Sequence, residues 1–126
     1  RQATRPYGYA DPVPELDRQP SDLVVTKRTW SAFAGTRLDE LLRARDVTQL
    51  VIVGVATSFG VESTARDAYD AGFNLTFAVD AITDLRAESH DHSLARVFPV
   101  LAETGSTADV LAALALRSQA SAARGD

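Results

Sequence analysis

The stretch Gly54-Val55-Ala56-Thr57-Ser58-Phe59-Gly60-Val61-Glu62-Ser63-Thr64-Ala65-Arg66 decides the fold of this chain. Just before it, Leu50-Val51-Ile52-Val53 is an apolar run that reads as a buried parallel strand. Just after it, Val61, Ala65 and Ala68 recur at helical spacing and Gly72 supplies a stop. The order is therefore strand, turn between two glycines, helix. In open α/β sheets such a turn lies at the carboxyl ends of the strands, where ligands bind. The first N–H groups of the following helix carry a partial positive charge there.

Composition narrows what can be built around that turn. The 126 residues suit one small domain (1–126), and a hydrophobic content of 45% makes it globular. A net charge of −4 argues against general affinity for nucleic acid, which needs clustered Lys and Arg. No apolar run approaches the roughly 20 residues that a bilayer requires, so no membrane association is expected. The start lacks the charged-then-apolar pattern of a signal peptide, and the expected location is the cytoplasm. Without a cysteine there is no disulfide, no native thiolate nucleophile and no cysteine-based metal site.

Working outward, residues 1–20 carry Pro6, Pro12, Pro14 and Pro20 without a period and read as an extended loop. Such a segment resembles the middle of a longer chain. Residues 22–26 (Asp-Leu-Val-Val-Thr) are expected to form a short strand, with Lys27-Arg28-Thr29-Trp30-Ser31-Ala32-Phe33 at its carboxyl end. Thr36 and Asp39 form a partial capping box for a helix carrying Leu38, Leu41, Leu42 and Arg45 on one face. Residues 73–79 are the next strand, ending at Asp80. A polar loop with His90, Asp91 and His92 follows, then a short helix through Leu94, Val97 and Phe98 stopped by Pro99. Residues 101–104 suit a small edge strand. Ser106 and Asp109 start a last helix buried through Val110, Leu111 and Leu114, and the tail 117–126 is expected to fray.

Strands alternating with helices predict a three-layer α/β/α Rossmann-like sandwich with a mostly parallel sheet. Only three of these strands are convincing, and a sheet so narrow leaves a flank uncovered. Further N-terminal strands are therefore expected to be supplied from outside this sequence.

At this point Pro14-Glu15-Leu16, the run from Lys27 to Thr36, Leu38-Asp39, the run from Leu41 to Arg45, Gly54-Val55-Ala56-Thr57, the run from Val61 to Ala68, and Asp80-Ala81 resemble the second half of the isochorismatase-like (cysteine hydrolase) superfamily. That superfamily includes nicotinamidases, carbamoylsarcosine amidases and isochorismatases. The resemblance implies that Lys27 is the catalytic lysine and that Val55–Ala56 is a non-proline cis peptide. It also implies an oxyanion hole made by the main-chain N–H groups of Ala56 and Gly60. Asp80 matches a position after the following strand and receives no catalytic role. The family's catalytic Asp belongs to an earlier strand, so no residue here is named for it.

The departure is at Gly60, where amidase members carry their nucleophilic Cys. Thiol catalysis needs a thiolate at the helix start, and glycine has no side chain. Isochorismatases also have Gly there and are thought to cleave a vinyl ether by acid chemistry with water attacking. They read Tyr-Ala-His, however, where this chain has Ala56-Thr57-Ser58.

Each candidate has a plainer reading beside the functional one. Lys27 either stabilises developing negative charge or is a solvated strand-end lysine. Trp30 and Phe33 line a substrate pocket with Thr57, Ser58 and Phe59, or are core or interface aromatics. Ser58 is a replacement nucleophile or, without a histidine nearby in sequence, a helix cap. Thr57 is read the same way, with a structural hydrogen bond. His90 and His92 are metal ligands or members of a solvated loop, the latter favoured without a third ligand. Arg66 and Asp67 are salt-bridge residues.

The expectation is an isochorismatase-like hydrolase lacking the thiol nucleophile. It would act on a small carboxylate or enol-ether substrate by acid-assisted water attack, with no metal and no cofactor, as a homodimer or homotetramer. The rival is a catalytically inactive binding or scaffold member of the same fold. A nucleotide-binding α/β domain is disfavoured by the absence of Gly-x-Gly-x-x-Gly.

Overall fold

A computed structural model describes residues 8–125. The parts of the 1–20 loop and the tail that fall on residues 1–7 and 126 lie outside them. The described start of the chain makes a tight turn closed by Asp11 N–H on the Gly8 carbonyl, one 3-10 turn, Pro14–Leu16, and a second tight turn closed by Asp22 N–H on the Gln19 carbonyl.

Three parallel strands form the sheet in the order β1 (Gln49–Val55), β2 (Asn74–Thr83), β3 (Glu103–Gly105). Residues 22–26 do not join it. They are irregular and pair with no strand, with Leu23 and Val24 exposed. An apolar, β-branched composition favours a strand only where a neighbouring strand satisfies its backbone groups.

Helices cover both faces, as the sandwich prediction required. On one face Leu50 and Ile52 of β1 stand opposite Leu75 and Phe77 of β2. They meet Val61, then Ala65 and Ala68 of α2 (Glu62–Asp70), and Phe98 of α4 (Phe98–Leu101) in one buried cluster. Phe77 and Phe98, both fully buried, stack with ring centroids 3.7 Å apart. Leu42 of α1 (Leu38–Arg43) and Phe33 pack on its edge. The opposite face, with Val51 and Thr76, is crossed by α5 (Thr107–Ala122) over a groove lined by Val110, Ala113 and Leu114.

Gly72 ends α2 as its sequence position suggests. It takes φ 87°, its N–H donates to the Tyr69 carbonyl, and the Phe73 N–H donates back to Ala68. That is the six-to-one and five-to-two pair of a Schellman stop.

Several boundaries differ from the sequence reading. Strand β2 runs on to Thr83 because its register against β1 jumps: Ile52 pairs with Phe77, but Gly54 pairs with Ile82. The polar residues in that bulge hide the continuation from an apolar pattern. The histidine segment is helical, α3 (Ala87–His92), followed by a wide turn, Ser93–Val97. Pro99 then opens α4 instead of ending a helix, since a first-turn residue has no N–H partner to lose. Thr36 accepts the Leu38 N–H from one position before the cap, and Asp39 pairs with Arg43.

The last helix has the expected Ser106–Asp109 capping box. It continues to Ala122, since a tail rich in Ala has high helix propensity. Its Leu111 and Leu114 are exposed and Val110 half-buried, because a three-stranded sheet is too narrow to bury them.

Candidate active site

The carboxyl end of β1 leads into the two-glycine turn. The Val55–Ala56 peptide is cis. The Ala56 carbonyl then accepts the N–H groups of both Phe59 and Val61 at 3.1 Å, which closes the wide turn Thr57–Val61 that feeds α2.

Lys27 reaches this turn from the preceding loop. Its ammonium donates to the Trp30 carbonyl. A Cβ built on Gly60 would stand 3.0 Å from Lys27 Nζ and 3.4 Å from the Trp30 oxygen. The glycine thus leaves room for the lysine head. The loop is tied to α2 by the Ala32 N–H, which donates to Thr64 Oγ1 at 3.0 Å, and internally by buried Ser31, whose Oγ accepts the Phe33 N–H.

Trp30 and Phe59 meet edge to face, with centroids 5.1 Å apart and planes at 64°. They stay 64% and 41% exposed, large values for rings of this size. An open depression lined by Lys27, Arg28, Thr29 and Trp30 adjoins them.

Other expected pocket residues go elsewhere. Phe33 packs on Phe73 at 5.8 Å and belongs to the core edge. Thr57 is fully buried, and its hydroxyl pairs with His90 Nδ1 at 2.8 Å, so its side chain lines no open pocket. Ser58 neither caps α2 nor meets a histidine: its N–H and its hydroxyl both donate to Asp84 Oδ2, at 2.6 and 2.7 Å. His90 is correspondingly a half-buried bracing residue rather than part of a solvated loop. Sequence reading missed Asp84 and the role of His90 because both lie more than twenty positions away and are brought in by the β2 bulge and α3. Among the described residues no cluster of three or more His, Asp or Glu is placed to hold a metal ion.

Two carboxylates near the strand ends are held ionised. The Ser58 amide and hydroxyl lower the Asp84 pKa to about 2. Asp80 is lowered by the Thr107 N–H and then by its hydroxyl, so it anchors the start of α5. On α2, Glu62 accepts from the buried Ser93 hydroxyl and pairs with Arg66, which fixes the wide turn of 93–97 against the helix. Among the described residues Asp67 forms no ion pair, so only Arg66 of the two takes the salt-bridge role.

With this geometry in view, residues 4–109 match the isochorismatase domain. The chain belongs to the isochorismatase family. It is 42% identical over 106 residues to the isochorismatase family protein YwoC of Bacillus subtilis, a match covering 84% of this chain and 56% of that protein. An isochorismatase family protein structure from Burkholderia thailandensis superposes with TM-score 0.79 at 45% identity, over 81% of this chain and 54% of that one. The nicotinamidase PncA of Bacillus subtilis superposes with TM-score 0.62 at 33% identity, covering 65% and 45%. The chain spans about half the length of these relatives. Among the described residues no helix is long and apolar enough to cross a membrane.

Proposed function

We propose that this chain carries a hydrolytic site of the isochorismatase family without the thiol nucleophile. It acts on a small carboxylate or enol-ether substrate by acid-assisted attack of water. Lys27 stabilises the negative charge that develops, and the main-chain amides of Ala56 and Gly60 hold the oxygen that carries it. The observation behind this reading is the approach of Lys27 Nζ to the position of a Cβ on Gly60, at 3.0 Å. An ammonium there faces whatever occupies the space a thiol side chain would fill.

The proton donor must be a neutral carboxyl group at working pH. Asp84, lowered to about 2 by Ser58, is a carboxylate and is excluded from that role. Asp80 is likewise held ionised by Thr107. The acid is therefore assigned to neither. The protein is proposed to work in the cytoplasm as a homodimer or homotetramer, checked by light scattering after gel filtration.

The test is turnover by the purified protein against a panel of vinyl ethers, including isochorismate, and small amides. Turnover of an ether, with kcat reduced about a hundredfold in Lys27→Ala, is the expected result. No turnover of any substrate, together with unchanged ligand binding in Lys27→Ala, overturns the reading.

A further inference from the structure

We infer that Arg28 is a specificity-determining residue that anchors an anionic group of a planar substrate lying on Trp30, which leaves Lys27 free for the reacting oxygen. The inference rests on the hydrolase reading for the identity of the reacting centre, and goes beyond it by naming what the neighbouring depression recognises.

Three observations carry it. The first is charge. Arg37, Arg43 and Arg66 each sit on a carboxylate one helical turn away. The Arg28 side chain, like those of Arg18, Arg86, Arg96 and Arg117, has no hydrogen bond or ion pair with any described residue, but it alone of these lies beside the turn, in the depression with Lys27. Its neighbour Lys27 spends its head on a neutral carbonyl, that of Trp30. Two adjacent cations therefore line one depression with no protein anion to neutralise them.

The second is shape. The depression is bounded by Trp30, whose orientation is set by its edge contact with Phe59, and Phe59 belongs to the turn itself. An exposed, braced indole offers a flat face for a ring. The third is division of labour. Both cations line the depression, but Lys27 Nζ lies at Gly60, on the turn, whereas the Arg28 side chain is bonded to no described residue. A guanidinium, planar and permanently charged, is the better partner for a carboxylate. The substrate class that fits is a small planar carboxylic acid whose ring stacks on Trp30 and whose carboxylate meets Arg28.

Trp30 is the chain's one tryptophan, so the indole fluorescence comes from this place. The full chain is titrated at low ionic strength, where a partly exposed ion pair is least screened, with benzoate, benzamide and cyclohexanecarboxylate. Benzoate is expected to bind at least about fivefold more tightly than either of the others. Arg28→Ala should weaken benzoate about tenfold, as loss of one charge-assisted contact does, and leave benzamide unchanged. Arg28→Lys should recover part of the loss, and circular dichroism should match the parent for both variants. Equal affinity for benzoate and benzamide, no saturable change with any probe, or benzoate affinity indifferent to Arg28→Ala overturns the inference. Turnover of a carboxylate-bearing ether indifferent to Arg28→Ala would remove this inference and leave the hydrolase reading standing. Arg28-dependent benzoate binding in a protein without turnover would do the opposite.

Discussion

Lys27 Nζ and Gly60 are partners in space: the ammonium lies 3.0 Å from where the first side-chain atom of residue 60 would be. A thiol placed there by Gly60→Cys would find a cation beside it, and the opposite charge favours the thiolate. The lysine head must yield by a few tenths of an ångström, which the flexible end of a long side chain can do. The introduced thiol would be the only one in the chain. Its alkylation by iodoacetamide at pH 7 should be about tenfold faster than in Gly60→Cys combined with Lys27→Ala. Equal rates would mean that Lys27 does not act on position 60.

The Thr57–His90 pair gives a stability prediction. Thr57 is fully buried and its hydroxyl has His90 as its hydrogen-bond partner. His90→Ala strands that hydroxyl, at a cost of about 1–3 kcal/mol. Thr57→Val in the His90→Ala background removes the stranded group and should regain part of the loss. Urea denaturation of the four proteins of this cycle reads the coupling, and additive losses would show that the two residues do not interact.

Asp84 predicts part of the acid sensitivity. Its folded pKa is about 2 against an ordinary 3.8, because the Ser58 amide and hydroxyl favour the carboxylate. A lowered folded value means stabilisation that is complete above pH 3.8 and is lost as pH falls towards 2. Asp84→Asn should be less stable than the parent at neutral pH, and the gap should close over that window. Denaturant midpoints measured from pH 6 down to pH 2 test this, and a gap that stays constant would refute the assignment.

Phe77 and Phe98 join the sheet to α4 through their stacked, fully buried rings. Phe98→Ala removes a large core side chain and should cost about 3–5 kcal/mol. Because α4 leads directly into β3, hydrogen exchange in Glu103–Gly105 should rise more than in Gln49–Val55. A uniform rise across the sheet would show that Phe98 supports the whole core and not this corner.

The layout of the central unit was legible in the sequence because it is written in local periodicity. An apolar run, a glycine-bounded turn, apolar positions at helical spacing and Gly72 in the left-handed region each follow from neighbours in the chain. The two aromatic assignments show where that ends. Trp30 and Phe33 are three residues apart and chemically alike, yet one stays exposed beside Phe59 and the other packs on Phe73. Composition cannot separate them, because the difference lies in which distant element each one faces.

The sequence by itself determined the strand–turn–helix unit, the position of Lys27 ahead of it, and the family that these motifs mark. These depend on propensity and on spacings of a few residues. Only the tertiary structure decided that residues 22–26 stay out of the sheet, that Asp84 and His90 brace Ser58 and Thr57, and that Lys27 stands over Gly60. The first depends on the lack of a partner strand, and the others on contacts across more than twenty positions, made by a register jump in β2 or by a loop tied to α2. Hydrogen bonds of that kind are chosen by how the layers pack, and packing is a property of the whole chain.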